Sequence, residues 1–231
     1  MLNALRTEVY EANLEIVRRG LVLYTFGNAS GIARDQELVV IKPSGVPYEK
    51  MSPADMVIAD LDGRVVEGSL KPSSDLATHA ALYRTFPSIG GVVHTHSRHA
   101  TAWAQARREI PCLGTTHADY FRGSVPVTAQ LTAAEIDSDY ELNTGAAIIR
   151  AMEGRDPLGC PAALVAGHAP FCWGRTVSDA AHVAVVVEEL AAMAWQTLTI
   201  NRSAEEISEA LRDKHYFRKH GPNATYGQTK G

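Results

Sequence analysis

The chain contains the stretch Ile89-Gly90-Gly91-Val92-Val93-His94-Thr95-His96, an apolar run that ends in two histidines. Side chains of an extended strand alternate between its faces, so His94 and His96 are predicted to point the same way. Two imidazoles placed like this can hold one metal ion between them. The stretch therefore predicts a strand of the central sheet and two metal ligands, although nine histidines in one chain can also produce such a pair by chance.

Two other residues are candidates to complete this metal site. His168 follows a second apolar run, residues 162–165, and precedes a turn at Pro170, which favours a position at the end of a strand. Asp75 ends the stretch Lys71-Pro72-Ser73-Ser74-Asp75 and could add a carboxylate oxygen. Three imidazoles and one carboxylate suit zinc, manganese or a similar divalent ion, and leave room for substrate on the metal.

Composition narrows the class of protein. The chain has 231 residues and no linker-like stretch, so we expect one domain over residues 1–231. A formal net charge of -4 argues against nucleic-acid binding, which normally leaves a basic footprint. Three cysteines without C-x-x-C spacing indicate neither a disulfide framework nor a cysteine zinc site.

The longest apolar region, residues 180–198, is predicted to be a core helix and not a membrane span. His182, Glu188 and Glu189 interrupt it, and such side chains are costly inside a bilayer. The N-terminus has no continuous apolar segment, so no secretory signal is expected. These patterns predict a cytoplasmic protein without a membrane partner.

Hydrophobic periodicity predicts a mixture of helices and strands. Helices are expected over residues 2–20, 76–86 and 100–107, a strand over residues 38–41, and a hairpin around Asp62-Gly63. Capping-box patterns at Thr132 and Ser203 predict two further helix starts. Strands joined by hairpins as well as by helices favour a central mixed sheet flanked by helices.

Three short loops combine glycine with hydroxyl or amide side chains: Gly27-Asn28, Ser44-Gly45 and Ser73-Ser74. Such residues let backbone N–H groups converge on a phosphate, and their hydroxyls add donors. The third loop directly precedes a predicted helix, whose N-terminus favours negative charge. Each loop alone is also typical of an ordinary turn or cap.

Titratable side chains also cluster in Thr115-Thr116-His117-Ala118-Asp119-Tyr120-Phe121. Asp119 could act as a general acid or base beside a metal-bound substrate, and Tyr226 could be its counterpart. The alternative is that Asp119 forms a turn and that Tyr226 only packs or lies in a tail. A basic run over residues 212–220 is typical of a solvated helix face but could attract a phosphorylated substrate.

Considered as a set, these segments resemble the class II aldolase and epimerase family, which includes adducin-like domains. The matching segments are Gly27-Asn28-Ala29-Ser30, Lys42-Pro43-Ser44-Gly45, Lys71-Pro72-Ser73-Ser74-Asp75, His94-Thr95-His96-Ser97, residues 114–121 and Tyr226-Gly227-Gln228. The resemblance implies a three-layer α/β/α fold with a largely antiparallel or mixed central sheet. It also implies a homotetramer with active sites between neighbouring subunits.

The resemblance carries roles over to matching positions. The metal ligands would be His94, His96 and His168, with Asp75 on or beside a Zn²⁺ or, alternatively, a Mn²⁺ ion. The substrate-binding residues would be Gly27, Asn28, Ser44, Gly45, Ser73 and Ser74, and the acid–base pair would be Asp119 and Tyr226. The sequence departs from the family at Ala169, where relatives commonly have glycine.

The implied activity is epimerisation of a phosphorylated pentulose, between L-ribulose 5-phosphate and D-xylulose 5-phosphate. Carbon 4 bears no acidic proton, so its inversion requires cleavage and re-formation of the C3–C4 bond, with a divalent ion as electron sink. Asp75 favours this activity over the fuculose- or rhamnulose-phosphate aldolases, which carry glutamate there. The alternatives are such an aldolase and a structural metal protein, although structural zinc sites favour cysteine. Arabinose, ascorbate and other pentose pathways all remain open.

Overall fold

The computed structural model describes residues 2–221 and 224–225. Its strands are β1 (Asn28–Ala33), β2 (Leu38–Ile41), β3 (Val57–Asp60), β4 (Val65–Glu67), β5 (Gly91–His94), β6 (Ala162–Leu164) and β7 (Pro170–Gly174). They form one sheet in the order β4-β3-β2-β1-β5-β7-β6. Every neighbouring pair is antiparallel, so the sheet is the antiparallel one of the two predicted arrangements.

Eight α-helices and two single-turn 3₁₀ helices occur in the described residues. The α-helices are α1 (Asn3–Arg18), α2 (Leu76–Thr85), α3 (Arg98–Ala106), α4 (Thr115–Ala118), α5 (Ala133–Asp137), α6 (Tyr140–Ala151), α7 (Val177–Ile200) and α8 (Glu209–His220). The 3₁₀ helices are Tyr48–Lys50 and Pro53–Asp55. The capping box predicted at Thr132 is present and opens α5.

Adjacent residues of β1 show that the sheet separates two helical layers. The Ser30 hydroxyl oxygen lies 2.7 Å from Nδ1 of His79 on α2. The next residue, Gly31, faces the opposite way, because a Cβ there would lie 2.5 Å from Val177 of α7 and 2.8 Å from Leu5 of α1. Successive strand residues face opposite sides of a sheet. Helix α2 therefore covers one face of the sheet, and helices α1 and α7 cover the other, which confirms the three-layer α/β/α fold.

Helix α7 is the long central helix of one layer. It packs against β5 and β7 and alongside α1 and α3. Its buried residues are Val177, Ala180, Ala181, Val183, Ala184, Val187, Leu190, Ala191 and Ala194. The helix is long and apolar enough to cross a membrane by composition, but its buried stripe lies against the sheet, as in a core helix.

One predicted helix start is wrong. The stretch Ser203-Ala204-Glu205-Glu206 matches a capping box, yet residues 204–208 are not helical and α8 begins only at Glu209. The carboxylate of Glu206 instead accepts hydrogen bonds from the backbone N–H of Cys112, at 2.9 Å, and from the hydroxyl of Ser124. Charge-assisted bonds to distant residues replace the local cap.

Candidate metal and phosphate site

Three histidines at or near the ends of the neighbouring strands β5 and β7 converge at one end of the sheet. Nε2 of His96 lies 3.1 Å from Nε2 of His94 and 3.3 Å from Nε2 of His168. All three ligand atoms lie within 4.8 Å of one another. Two nitrogens bound tetrahedrally to zinc, each at about 2.0–2.1 Å, lie about 3.3 Å apart. The donor atoms and their spacing therefore fit a divalent ion.

Partners of the second ring nitrogen orient two of these imidazoles. Nδ1 of His94 lies 3.0 Å from the carbonyl oxygen of Pro170. Because a carbonyl only accepts, Nδ1 carries the proton and Nε2 presents its lone pair. The ring of His94 also stacks on Phe171, with 4.2 Å between centroids. Nδ1 of His168 lies 3.4 Å from the hydroxyl of Tyr140.

Burial favours the neutral form of two of the ligands, His168 and His96. It lowers the pKa of His168 to about 4, and the neighbouring His94 and His96 act in the same direction. Burial and the neighbouring His94 also lower the pKa of His96. Metal ions bind the unprotonated imidazole, so these side chains are in their ligating form at neutral pH.

Asp75 lies beside the three histidines. Its Oδ2 accepts a hydrogen bond from the Asn28 amide at 2.6 Å. Among the residues that the structure describes, the group of donor atoms spaced for one ion comprises the histidines and not Asp75. Burial opposes ionisation of Asp75, but nearby His94 and His79, the hydrogen bond from Asn28 and nearby His168 together hold the pKa of the carboxyl below its usual range.

The histidines and all three predicted phosphate loops line one cavity of about 380 Å³. Its lining includes ten of the twelve predicted site residues, namely Gly27, Asn28, Ser44, Gly45, Ser73, Ser74, Asp75, His94, His96 and His168. A phosphate bound by the loops and a metal bound by the histidines would therefore share one enclosure.

Two of the loops are bonded to each other through their backbones. The N–H of Ser44 donates to the carbonyl of Lys71 at 2.9 Å, and the N–H of Ser73 donates to that of Lys42 at 3.0 Å. The Asn28 amide donates to the Ser73 hydroxyl oxygen at 3.1 Å. The backbone N–H groups of Ser44 and Ser73 are therefore already engaged. The donors that these two serines can offer to a phosphate are their hydroxyl hydrogens.

Gly27 brings the first loop against the strand that carries the metal ligands. Its φ is +88°, and a Cβ at this position would lie 2.8 Å from the carbonyl oxygen of His94. Only glycine adopts this conformation without strain and allows so close an approach. The loop can therefore place Asn28 where its amide reaches both Ser73 and Asp75.

Comparison with known proteins shows the family of this chain. Residues 7–195 match the family model described as Class II Aldolase and Adducin N-terminal domain. The chain belongs to this family. It is 55% identical over 227 residues to the L-ribulose-5-phosphate 4-epimerase UlaF of Salmonella paratyphi C and to that of Salmonella choleraesuis. Each match covers 98% of this chain and 100% of the relative.

Solved structures show the class II aldolase fold in the same way. An L-fuculose 1-phosphate aldolase superposes with a TM-score of 0.81 at 24% identity, covering 94% of this chain and 96% of the other. The l-fuculose-1-phosphate aldolase from Thermus thermophilus has a TM-score of 0.67 at 22% identity, with 88% and 98% covered. At these identities the likeness is one of fold.

Six further residues line the cavity that sequence patterns did not identify as site residues: Thr25, Phe26, Lys42, Pro43, Tyr140 and Glu141. Lys42 is 2% exposed, and its Nζ donates to the carbonyls of Pro43 and Val46 at 3.2 and 3.1 Å. Burial lowers its pKa to about 8. Lys42 could have been predicted as a site residue, because it directly precedes a predicted phosphate loop. No sequence pattern indicated that Tyr140 and Glu141, at the start of α6, would reach the cavity.

Asp119 is not among the described residues that line the cavity. Its carboxylate accepts from Arg218 at 2.8 and 2.9 Å and lies 3.0 Å from Nδ1 of His215 and 3.5 Å from Nζ of Lys219, all on α8. Burial opposes its ionisation, but the bonds from Arg218 and His215 hold its pKa below the usual range. Within one chain Asp119 docks α8. Tyr226 lies outside the described residues.

Proposed function

We propose that this chain is an L-ribulose-5-phosphate 4-epimerase that interconverts L-ribulose 5-phosphate and D-xylulose 5-phosphate. The observation that carries the proposal is the shared cavity, in which three imidazoles meet loops suited to a phosphate. A phosphorylated ketose offers a metal-chelating carbonyl and hydroxyl at one end and a phosphate at the other. The 55% identity to the Salmonella epimerases supports the same substrate.

The metal is proposed to be zinc, with manganese as the alternative. His94, His96 and His168 would hold it, with the carboxylate of Asp75 beside them. Three protein nitrogens leave coordination positions for substrate, whereas structural zinc sites are usually closed by four protein ligands. When bound, the ion supplies Lewis-acid polarisation of the ketose carbonyl, which makes cleavage of the C3–C4 bond accessible.

The loops are proposed to bind the substrate phosphate. The hydroxyls of Ser44 and Ser73 would donate to its oxygens, and the backbone at Gly45 and Ser74 would add N–H donors next to the start of α2. Lys42, directly before the second loop, also lines the cavity. These contacts would keep the two-carbon phosphate fragment in place between bond cleavage and re-addition, which distinguishes an epimerase from an aldolase.

Proton transfer at the C4 hydroxyl is assigned to Asp119 and Tyr226. One takes the proton as the C3–C4 bond breaks, and the other returns a proton after re-addition on the opposite face of the aldehyde. In its own chain Asp119 binds α8 away from the cavity. The proposal therefore places Asp119 and Tyr226 of one subunit at the cavity of its neighbour in a homotetramer.

The setting of this activity is proposed as well. The chain would act as one catalytic domain over residues 1–231, in the cytoplasm, on a phosphorylated pentulose of arabinose or ascorbate breakdown. Its formal net charge of -4 supports a partner other than nucleic acid. The packing of α7 against the sheet supports a chain without a membrane partner.

The test is to incubate purified protein with L-ribulose 5-phosphate and to follow D-xylulose 5-phosphate and free dihydroxyacetone together. We expect xylulose phosphate without accumulation of dihydroxyacetone, and loss of the reaction after chelation. An aldolase would instead release dihydroxyacetone with glycolaldehyde phosphate. Absence of both products in metal-loaded protein would contradict the proposal.

A further inference from the structure

The helix that follows the metal ligand His96 is capped by a side chain from another helix. Helix α3 begins at Arg98, and Ser97 occupies its N-cap position, but the Ser97 side chain accepts no hydrogen bond from the helix amides in the described structure. The first N–H groups of a helix need acceptors from outside the helix. Glu188, near the middle of α7, provides them.

Glu188 binds the start of α3 at three points. Its Oε1 accepts from the N–H of His99 at 2.9 Å, and its Oε2 accepts from the N–H of Ala100 at 2.9 Å. Its Oε1 also lies 2.8 Å from Nδ1 of His99. The side chain is 14% exposed. Hydrogen bonds to a largely buried carboxylate are among the stronger ones in proteins and are costly to leave unmade.

His96 depends on this cap more than the other two ligands do. His94 is the last residue of β5, so strand pairing does not extend to His96. Nδ1 of His94 and Nδ1 of His168 each have a partner, Pro170 and Tyr140. No hydrogen bond to Nδ1 of His96 occurs within residues 2–221 and 224–225. Apart from the ring of Phe26, whose centroid lies 5.9 Å from that of His96, its place is set by the backbone on either side of it.

We propose that Glu188 is a positioning residue for the metal site, because it holds the start of α3 and thereby the backbone that carries His96. Only Ser97 and Arg98 separate His96 from His99, the first of the two residues whose amides Glu188 binds. Glu188 acts through this short segment and touches neither metal nor substrate. The inference rests on the proposed use of the three histidines as a metal site.

The test compares Glu188→Ala with Glu189→Ala, which removes the exposed neighbouring carboxylate on the same helix. Metal-free proteins are titrated with Zn²⁺, and with Co²⁺ followed by its visible absorption, which reports ligand geometry. We expect Glu188→Ala to bind Zn²⁺ about 10- to 100-fold more weakly, as for other partners that orient a metal ligand, and to alter the Co²⁺ spectrum. Glu189→Ala should match the unchanged protein in both measurements.

The variant His96→Ala separates failure of the metal site from failure of the role given to Glu188. His96→Ala removes a proposed ligand, and if it binds Zn²⁺ as tightly as the unchanged protein, the metal site itself is wrong. If the unchanged protein binds at the histidines and Glu188→Ala keeps its affinity and Co²⁺ spectrum while only its melting temperature falls, Glu188 is a structural cap and the inference is overturned.

Glu188→Gln keeps an oxygen acceptor but loses the charge, so its affinity should lie between those of the alanine variant and the unchanged protein. This variant decides the matter if Glu188→Ala does not fold. An affinity and a Co²⁺ spectrum identical to those of the unchanged protein would then overturn the inference.

Discussion

His96 shows what a single residue contributes to this site. Its Nε2 lies 3.1 and 3.3 Å from the matching nitrogens of His94 and His168. We expect His96→Ala to lose both the bound divalent ion and turnover while keeping the fold, because a catalytic site contributes less to folding than a closed structural one. Elemental analysis and a thermal melt measure the two effects. The control is His182→Ala, which removes an imidazole outside the cavity, and retention of the ion by His96→Ala would contradict the assignment.

Asp119 is the residue whose proposed role differs most from its visible contacts. We expect Asp119→Asn to lower turnover by a factor of about a hundred or more, with metal content unchanged, as for loss of a general acid or base. Steady-state kinetics and elemental analysis test this. Asp213→Asn is a matched control, because Asp213 forms an exposed pair with Arg122 at 3.4 Å. Unchanged turnover in Asp119→Asn would leave the carboxylate with only its α8-docking role.

Two segments with the same capping-box pattern have different structures. Thr132 and Ser203 both begin a capping-box pattern, and only Thr132 opens a helix. The carboxylate of Glu135 stays on its local cap, at 2.8 Å from the N–H of Thr132. That of Glu206 binds residues 94 and 82 positions away in the chain. A capping-box pattern therefore predicts a helix start only when no distant group binds the carboxylate of the cap.

Helix α4 is expected to make the protein sensitive to acid. Its residue His117 is 4% exposed, with Nε2 2.9 Å from the Gly123 carbonyl, and burial lowers its pKa to about 4 from an ordinary value of 6.5. Between these two pH values the unfolded chain binds a proton that the folded chain does not. The free energy of unfolding should therefore fall as pH drops from 6.5 to 4, by about 1.4 kcal/mol per pH unit for this group.

Denaturant unfolding at pH 7, 6 and 5 measures this slope. In His117→Gln the amide can still donate to Gly123 but does not titrate, so the fall with pH should be shallower by about that amount per unit. The buried His79, whose pKa burial lowers to about 3, contributes in the same direction and is unchanged in the variant. Identical slopes for both proteins would show that His117 is not responsible.

On the scale of the whole molecule, the proposal requires that each active site be shared by two subunits. Mixing inactive His94→Ala protein with inactive Tyr226→Phe protein under subunit exchange should then restore activity. In a randomly mixed ring about a quarter of the sites pair an intact metal half with an intact tyrosine half, because each heterologous interface takes one contribution from each side. Activity near the parents' level, with exchange verified by mass, would rule out this sharing for Tyr226.

Local sequence patterns are sufficient to predict the short segments that build this protein. Several predicted features are properties of short segments, and the structure has them at the predicted positions. They are the alternation along β5 that leads to His96, the periodicity of α1 and α2, and the loops at Gly27, Ser44 and Ser73. Ten of the twelve predicted site residues lie in these segments or at the turn of His168 and line one cavity. Short-range sterics, hydrogen bonding and residue shape are sufficient to specify such parts.

Which distant residues meet depends on how the layers pack in the folded chain. It brings Asn28 to Asp75, 47 positions away, and His168 to His96, 72 positions away, and it adds Lys42 and Tyr140 to the cavity. It also engages Asp119 with α8 and withdraws Glu206 from a helix start. Such contacts depend on how the layers pack over the sheet, and the free energy of that packing is shared among many residues far apart in the chain, so no short pattern specifies it.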